Sequence, residues 1–250
     1  MFCGRLYVQA LIGVVFLILP SGSAAACEAP VDPNPITLST GFNWPHAGSN
    51  NTGIFPVMMK EAFCRIGREV NVVRVPTARS IRQASVGLFF GEGPRRWSVV
   101  SQFTDLQLLQ PPLYQLKFMA FSIEPFPDVK TYNDLAGYRA ATVIGRKSVE
   151  GSLAAVLEDF TTASNETLAF QMLKVGRVDF IVIDELTGFY FAKAGGIEDL
   201  HSVVLEEHPF HLLVHVNNRV LLPTLGNALQ GMHADGTVAK IIRDVVGWPR

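Results

Sequence analysis

From residue 36 onward the chain alternates short apolar runs with stretches of helical period. ITLSTGF (36–42) reads as a first strand. In IFPVMMKEAFCRIG (54–67), Val57, Met58, Glu61, Ala62 and Arg65 recur at threes and fours, which predicts a helix that Gly67 stops. EVNVVRV (69–75) is a second strand. TARSIRQASVG (77–87) is a second helix, with Thr77 as its cap and Gly87 as its stop. LFFGEGP is a third strand running into glycine turns. Strand, helix, strand, helix, strand in so short a span describes a parallel sheet covered by helices.

The next stretch is less regular. Val99 to Leu109 reads as an edge strand or extended rim, and Gln115 to Ser122 as a strand. IEPFPDV then interrupts with two prolines, and a second alternating set follows. It holds a short helix in TYNDLAG, a strand at 138–145 and a helix at 149–158. A further helix at 164–176 has Ser164 as its capping candidate. GRVDFIVIDELTGFYFAKAGG (176–196) joins a buried strand, Phe180 to Ile183, to another helix at 185–194. VVLEEHPFHLLVHVNN supplies two strands around Pro209. LLPTLGNALQGMHADG and TVAKIIRDVVGW close the chain as two helices. Two alternating sets with a proline-bearing junction predict two α/β lobes with a ligand cleft between them, because ligands in open parallel sheets sit beyond the strand C-termini.

Composition narrows the classes. The chain has 250 residues, 48% of them hydrophobic, enough for a large core or two modest ones. Only 17% are charged and the formal net charge is −1, with no basic tract, so nucleic acid has no electrostatic footing. The first residues stand apart. Arg5, the apolar run from Leu6 to Leu19 and the small-residue ending PSGSAAAC have the order of a cleavable secretory signal, expected over residues 1–26 with cleavage before Cys27. The run is short for a membrane span. Export places the protein in the periplasm, where Cys27 and Cys64 could form a disulfide. The alternative is a lipid on Cys27 with Cys64 left as a free thiol.

The phrases FNWPHAG, TGIFPVMMKEAF, PTARSIRQASVG, NDLAGYRAATVIG, LKVGRVDFIVIDELTGFYFAKAGG and LQGMHADGTVAKII are spread over most of the chain after the signal. They resemble the bacterial extracellular solute-binding proteins, the amino-acid-type components of ABC importers. That resemblance implies a two-lobed type II periplasmic binding protein fold, with the cleft between two parallel or mixed sheets flanked by helices. Lobe 1 would comprise residues 36–118 plus 216–250, and lobe 2 residues 119–215. Hinges would lie near 119–122 and 208–214.

Site candidates follow. Arg95 and Arg96 follow the third strand on a rim, where a guanidinium fork can hold a carboxylate, and the resemblance implies that role for one of them. Asp184, between a strand end and a helix start, would either face a ligand amine or cap the helix. Its replacement by alanine is expected to weaken binding with the fold intact. Asp179 and Glu185 have plainer roles, solvating the strand entrance and stabilising the first helical turn. Ser148, in GRKSVEG, would receive an anion at a helix start or simply cap it. Phe42 and Trp44 would cover the ligand with aromatic faces; Tyr114 is a weaker candidate. Phe189, Tyr190 and Phe191 read as core of lobe 2, and His208, His211 and His215 as structural rather than metal ligands.

The resulting expectation is an exported protein capturing a small polar solute, an amino acid or a related organic anion, for an ABC importer. It would be a monomer that closes on its ligand and docks on an inner-membrane permease or a sensor. No cofactor, metal or catalytic residue is implied. The rival classes are a periplasmic sensor or adaptor and an enzyme on the same fold, a dehydratase or cell-wall lytic enzyme, for which Glu92 would be the general acid.

Overall fold

A computed structural model describes residues 34–125 and 128–247 of the chain. The expected signal segment and Cys27 lie outside the described residues. Among the described residues, no helix is long and apolar enough to cross a membrane. Cys64 is disulfide-bonded, which removes the free-thiol alternative for it.

The first set of elements is β1 (Ile36–Thr40), α1 (Ile54–Cys64), β2 (Val70–Arg74), α2 (Thr77–Ser85) and β3 (Gly91–Arg96). β1 pairs in parallel with both β2 and β3. A short β4 (Leu106–Leu108) and the long β5 (Tyr114–Ser122) follow. The second set is β6 (Ala140–Val143), α3 (Lys147–Ala154), β7 (Thr161–Ala163), α4 (Glu166–Lys174), β8 (Phe180–Asp184) and α5 (Glu185–Ala194). β6 runs parallel to both β7 and β8. A long strand, β9 (His201–His215), returns to the first set, and α6 (Leu222–Ala234) and α7 (Thr237–Val246) finish the chain against α1.

The strands form one curled mixed sheet in the order β2-β1-β3-β9-β5-β8-β6-β7, with β4 beside β9. β5 and β9 are the strands common to both halves. β5 pairs antiparallel with β9 along its length, and from Phe118 onward it also pairs with β8. The β5–β9 register shifts at that same point, between Phe118 and Met119. One core cluster runs through both halves, from Leu38, Phe55 and Phe63 to Phe180 and Val182. A second fills the outer layer of the second half around Phe121, Phe170 and Ile181.

Several local expectations are corrected. The two strands expected around Pro209 are one. Pro209 lies one residue beyond Phe210, the last β9 residue paired with β3, so its missing N–H interrupts no ladder on that side. The third strand starts later than expected: Leu88 to Phe90 are bends and β3 begins at Gly91, where a side chain would overlap the Leu213 carbonyl, so glycine lets β9 approach β3 closely. Residues 97–102 form a 3-10 turn where an extended rim was expected, and β7 was not foreseen. Thr77 does not cap α2 but is its first helical residue, because its hydroxyl donates to the Gly41 carbonyl at 3.1 Å. Asn165 rather than Ser164 caps α4, accepting from the Leu168 amide at 2.9 Å. α3 spans 147–154, which puts Ser148 inside its first turn.

Candidate functional site

Parallel strands leave their C-terminal ends facing the gap between the halves, and a cleft of about 400 Å³ lies there. Gly41, Phe42 and Asn43, just after β1, line it with Thr77 at the start of α2. Arg95 and Arg96 at the end of β3 add Ser98 from the following turn. Phe118 of β5 and Phe210 of β9 contribute from the shared strands. The second half supplies Val143 to Ser148, between β6 and α3, and Glu166 at the start of α4.

Each arginine in the cleft is held by carboxylates. Glu92 is fully buried on β3, with one oxygen accepting from Arg95 Nε and the other from the Ser80 hydroxyl at 3.1 Å. Burial pushes its carboxyl above the usual value, against the pull of Arg95. Arg96 Nη2 donates to Glu206 at 2.9 Å, while its guanidinium lies 4.6 Å from the centre of the Phe118 ring. Burial works to raise the Glu206 carboxyl, but His208 and Arg96 outweigh it and hold it low. Arg95 similarly lies 5.9 Å from the Phe42 ring. Phe42 and Phe118 each pack on Phe210, at 6.1 and 6.2 Å between centroids. The first wall is thus a set of phenyl rings with two guanidinium groups laid over them.

The opposite wall centres on Arg146. Its Nη1 donates to Asp184 Oδ2 at 2.6 Å and its Nη2 to Glu166 Oε1 at 3.0 Å. Asp184 is the N-cap of α5, accepting from the Thr187 amide at 3.0 Å, and it also accepts from His46 Nε2 at 2.9 Å. Burial acts to raise its carboxyl; His46, Arg146 and these hydrogen bonds outweigh it and hold the group far below the usual range. No side chain caps α3, whose first turn carries Ser148.

The structure therefore brings Phe42, Arg95, Arg96 and Ser148 to one cleft. Trp44 and Asp184 are not among the lining residues. The Trp44 ring packs edge-on against Tyr190 at 5.7 Å, and its indole nitrogen is buried. Asp184 lies fully buried behind Arg146. Tyr114 is also buried, within hydrogen-bond distance of His46 Nδ1 at 3.0 Å. Glu92 is enclosed with its charge directed at Arg95, so it does not line the cleft as a free acid.

His46, Arg146, Phe118 and Phe210 were not singled out from the sequence. Arg146 sits two residues before Ser148 in a turn already marked, and an arginine there was a readable signal. His46 lies in the marked loop WPHAG; only its partner, 138 positions away, gives it meaning. His208, His211 and His215 diverge: His208 pairs with Glu206, His211 with the Leu109 carbonyl, and His215 accepts from the Asn217 amide. Among the described residues no group of histidines, cysteines and acids is placed to hold a metal ion.

No family model matches the sequence, and no curated protein matches it. Solved structures do match its shape. The GluR0 ligand-binding core in complex with L-glutamate superposes with a TM-score of 0.73 at 15% identity, covering 85% of this chain and 98% of that one. An ancestral cationic amino acid solute-binding protein gives a TM-score of 0.68 at 19% identity, over 85% and 95%. A histidine kinase sensor domain with similarity to periplasmic binding proteins gives 0.66 at 16%, over 85% and 96%. The curled mixed sheet, its covering helices and the cleft between the halves are the two-lobed type II periplasmic-binding-protein fold.

Proposed function

We propose that the protein is an exported solute-binding protein whose cleft captures a small organic anion. The observation that carries this reading is the lining: Arg95, Arg96 and Arg146, from both halves, face a space bordered by three phenylalanine rings. Guanidinium groups offer several N–H donors in a planar fork that suits a carboxylate. Glu92, Glu206 and Asp184 fix the forks from outside the lining, and Glu166 fixes Arg146 from within it. Burial of the ligand between the walls would exclude water and strengthen these contacts. Closure of one half on the other about β5 and β9 is the motion such a fold permits.

Nothing in this arrangement requires chemistry. Glu92, the acid that an enzyme would need, is committed to Arg95 and Ser80. Delivery to an inner-membrane ABC permease is the role we favour, with the protein acting as a monomer in the periplasm. A sensory role is the second reading, supported by the likeness in shape to a histidine kinase sensor domain. A thermal-shift screen of the protein against organic anions, cationic amines and neutral sugars tests the proposal. Stabilisation by anions alone is expected; stabilisation confined to amines or sugars would refute it.

A further inference from the structure

The cleft presents cations on both walls, and each carboxylate at it is already paired with one of them. Both oxygens of Asp184 are taken, Oδ1 by His46 and the Thr187 amide, Oδ2 by Arg146. Glu166 is the single acid among the lining residues. Its Oε1 accepts from Arg146 at 3.0 Å, and its side chain is only 9% exposed. Glu92 and Glu206 accept from Arg95 and Arg96. An ammonium entering this space would lose its water and meet guanidinium groups whose carboxylates are already shared.

The cations are also divided. Arg95 and Arg96 belong to β3 in the first half; Arg146 in the turn before α3 belongs to the second, as does Lys147 at the start of α3, whose ammonium is engaged by Glu150. One carboxylate can answer one wall; a second is needed to answer the other. Between them the phenyl rings offer apolar faces to the body of the ligand.

Resting on the anion-binding reading of this same cleft, we infer that the preferred ligand is a small dicarboxylate with an apolar or flat body and no ammonium group. One carboxylate meets Arg95 and Arg96, and the other meets Arg146 beside Ser148. Asp184 and Glu166 act as positioning residues that aim the Arg146 fork. His46 and the Thr187 amide hold one oxygen of Asp184 and Arg146 the other, so Asp184 gives a ligand cation no acceptor, which disfavours amino acids.

Calorimetric titration of the protein with glutarate, terephthalate, L-glutamate and pentanoate separates the possibilities, since glutarate, L-glutamate and pentanoate share one carbon chain. Glutarate or terephthalate, the dicarboxylates without an ammonium group, should bind at least about tenfold more tightly than both L-glutamate and pentanoate, the size expected when a charge is left unpaired in a buried site. In Arg146→Met, glutarate should fall to the affinity of pentanoate, while pentanoate changes little. If L-glutamate equals or exceeds the dicarboxylates, or pentanoate does, the inference is overturned and the anion-binding reading stands. If none of the four binds, both fail. The wild-type comparison decides the matter even if the variant does not fold.

Discussion

His46 and Asp184, 138 positions apart in sequence, meet at 2.9 Å between Nε2 and Oδ1. His46 comes from the loop after β1, and Asp184 from the end of β8, so the contact joins the two halves of the fold. Both side chains are buried. Tyr114, on the shared strand β5, completes the chain at His46 Nδ1. Burial, and then the charge of Asp184, push the Tyr114 phenol well above its ordinary value, so it keeps its proton. His46 thus bridges the Tyr114 hydroxyl and the Asp184 carboxylate.

This pairing changes what Asp184→Ala should do. The sequence suggests a loss of binding in an intact fold. The structure leads us to expect a loss of stability of roughly 3–5 kcal/mol, the cost of leaving buried charge without its partner. The helix cap on Thr187 goes with it, adding about 1 kcal/mol. Urea denaturation of the variant measures the sum. An unchanged midpoint would show that the contact contributes nothing.

Asp184 and Glu92 should leave opposite marks on stability against pH. The folded carboxyl of Asp184 is held below its unfolded value, so its contribution is present above about pH 4 and fades as acid protonates it. Glu92 is held above its unfolded value, so its contribution is present in acid and fades as pH rises through the raised value. Glu92→Gln should therefore remove part of the fall in stability that the parent protein shows on going from about pH 4.5 toward neutrality. Paired denaturation curves across that window check it; parallel curves would contradict the assignment.

The phenyl rings of the cleft divide by burial. Phe210 is 4% exposed and touches Phe42, Tyr114 and Phe118. Phe210→Ala should cost about 3–5 kcal/mol of stability. Phe42 is half-buried at the mouth, and Phe42→Ala should weaken anion binding with a smaller loss of stability. Thermal melts alongside calorimetric titration separate the two effects.

Gly91→Ala tests how closely β3 must approach β9. The added methyl group would overlap the carbonyl of Leu213, a backbone atom that cannot rotate aside. Separating the strands should cost about 1–3 kcal/mol and displace Arg95 and Arg96 from their places. Lower stability together with weaker anion binding is the expected pair of results. Full binding with normal stability would mean that the strand accommodates the methyl group freely.

Much of the layered order was legible. The period of α1, the run Phe180 to Ile183 and the strand-to-helix step at Asp184 all carry local signals, and α5 spans Glu185–Ala194 as its pattern predicts. Pro209 misled because its usual meaning is the end of a strand. Here its surroundings kept it in one strand, since it needs only an already free edge. Thr77 looked like a cap until its hydroxyl found Gly41 across the first loop.

By itself the sequence determined which segments become strands and helices, since burial of an apolar face depends on spacing along a few turns. It also determined the alternation that yields a parallel sheet on each side of the junction, and it placed charged and aromatic residues at strand ends. Tertiary structure decided what those residues do. Asp184 became the anchor of Arg146 rather than part of the cleft lining because His46 and Arg146 reached it first, from loops whose proximity no local pattern encodes. Electrostatic partnership acts through space, and only the folded chain sets those distances.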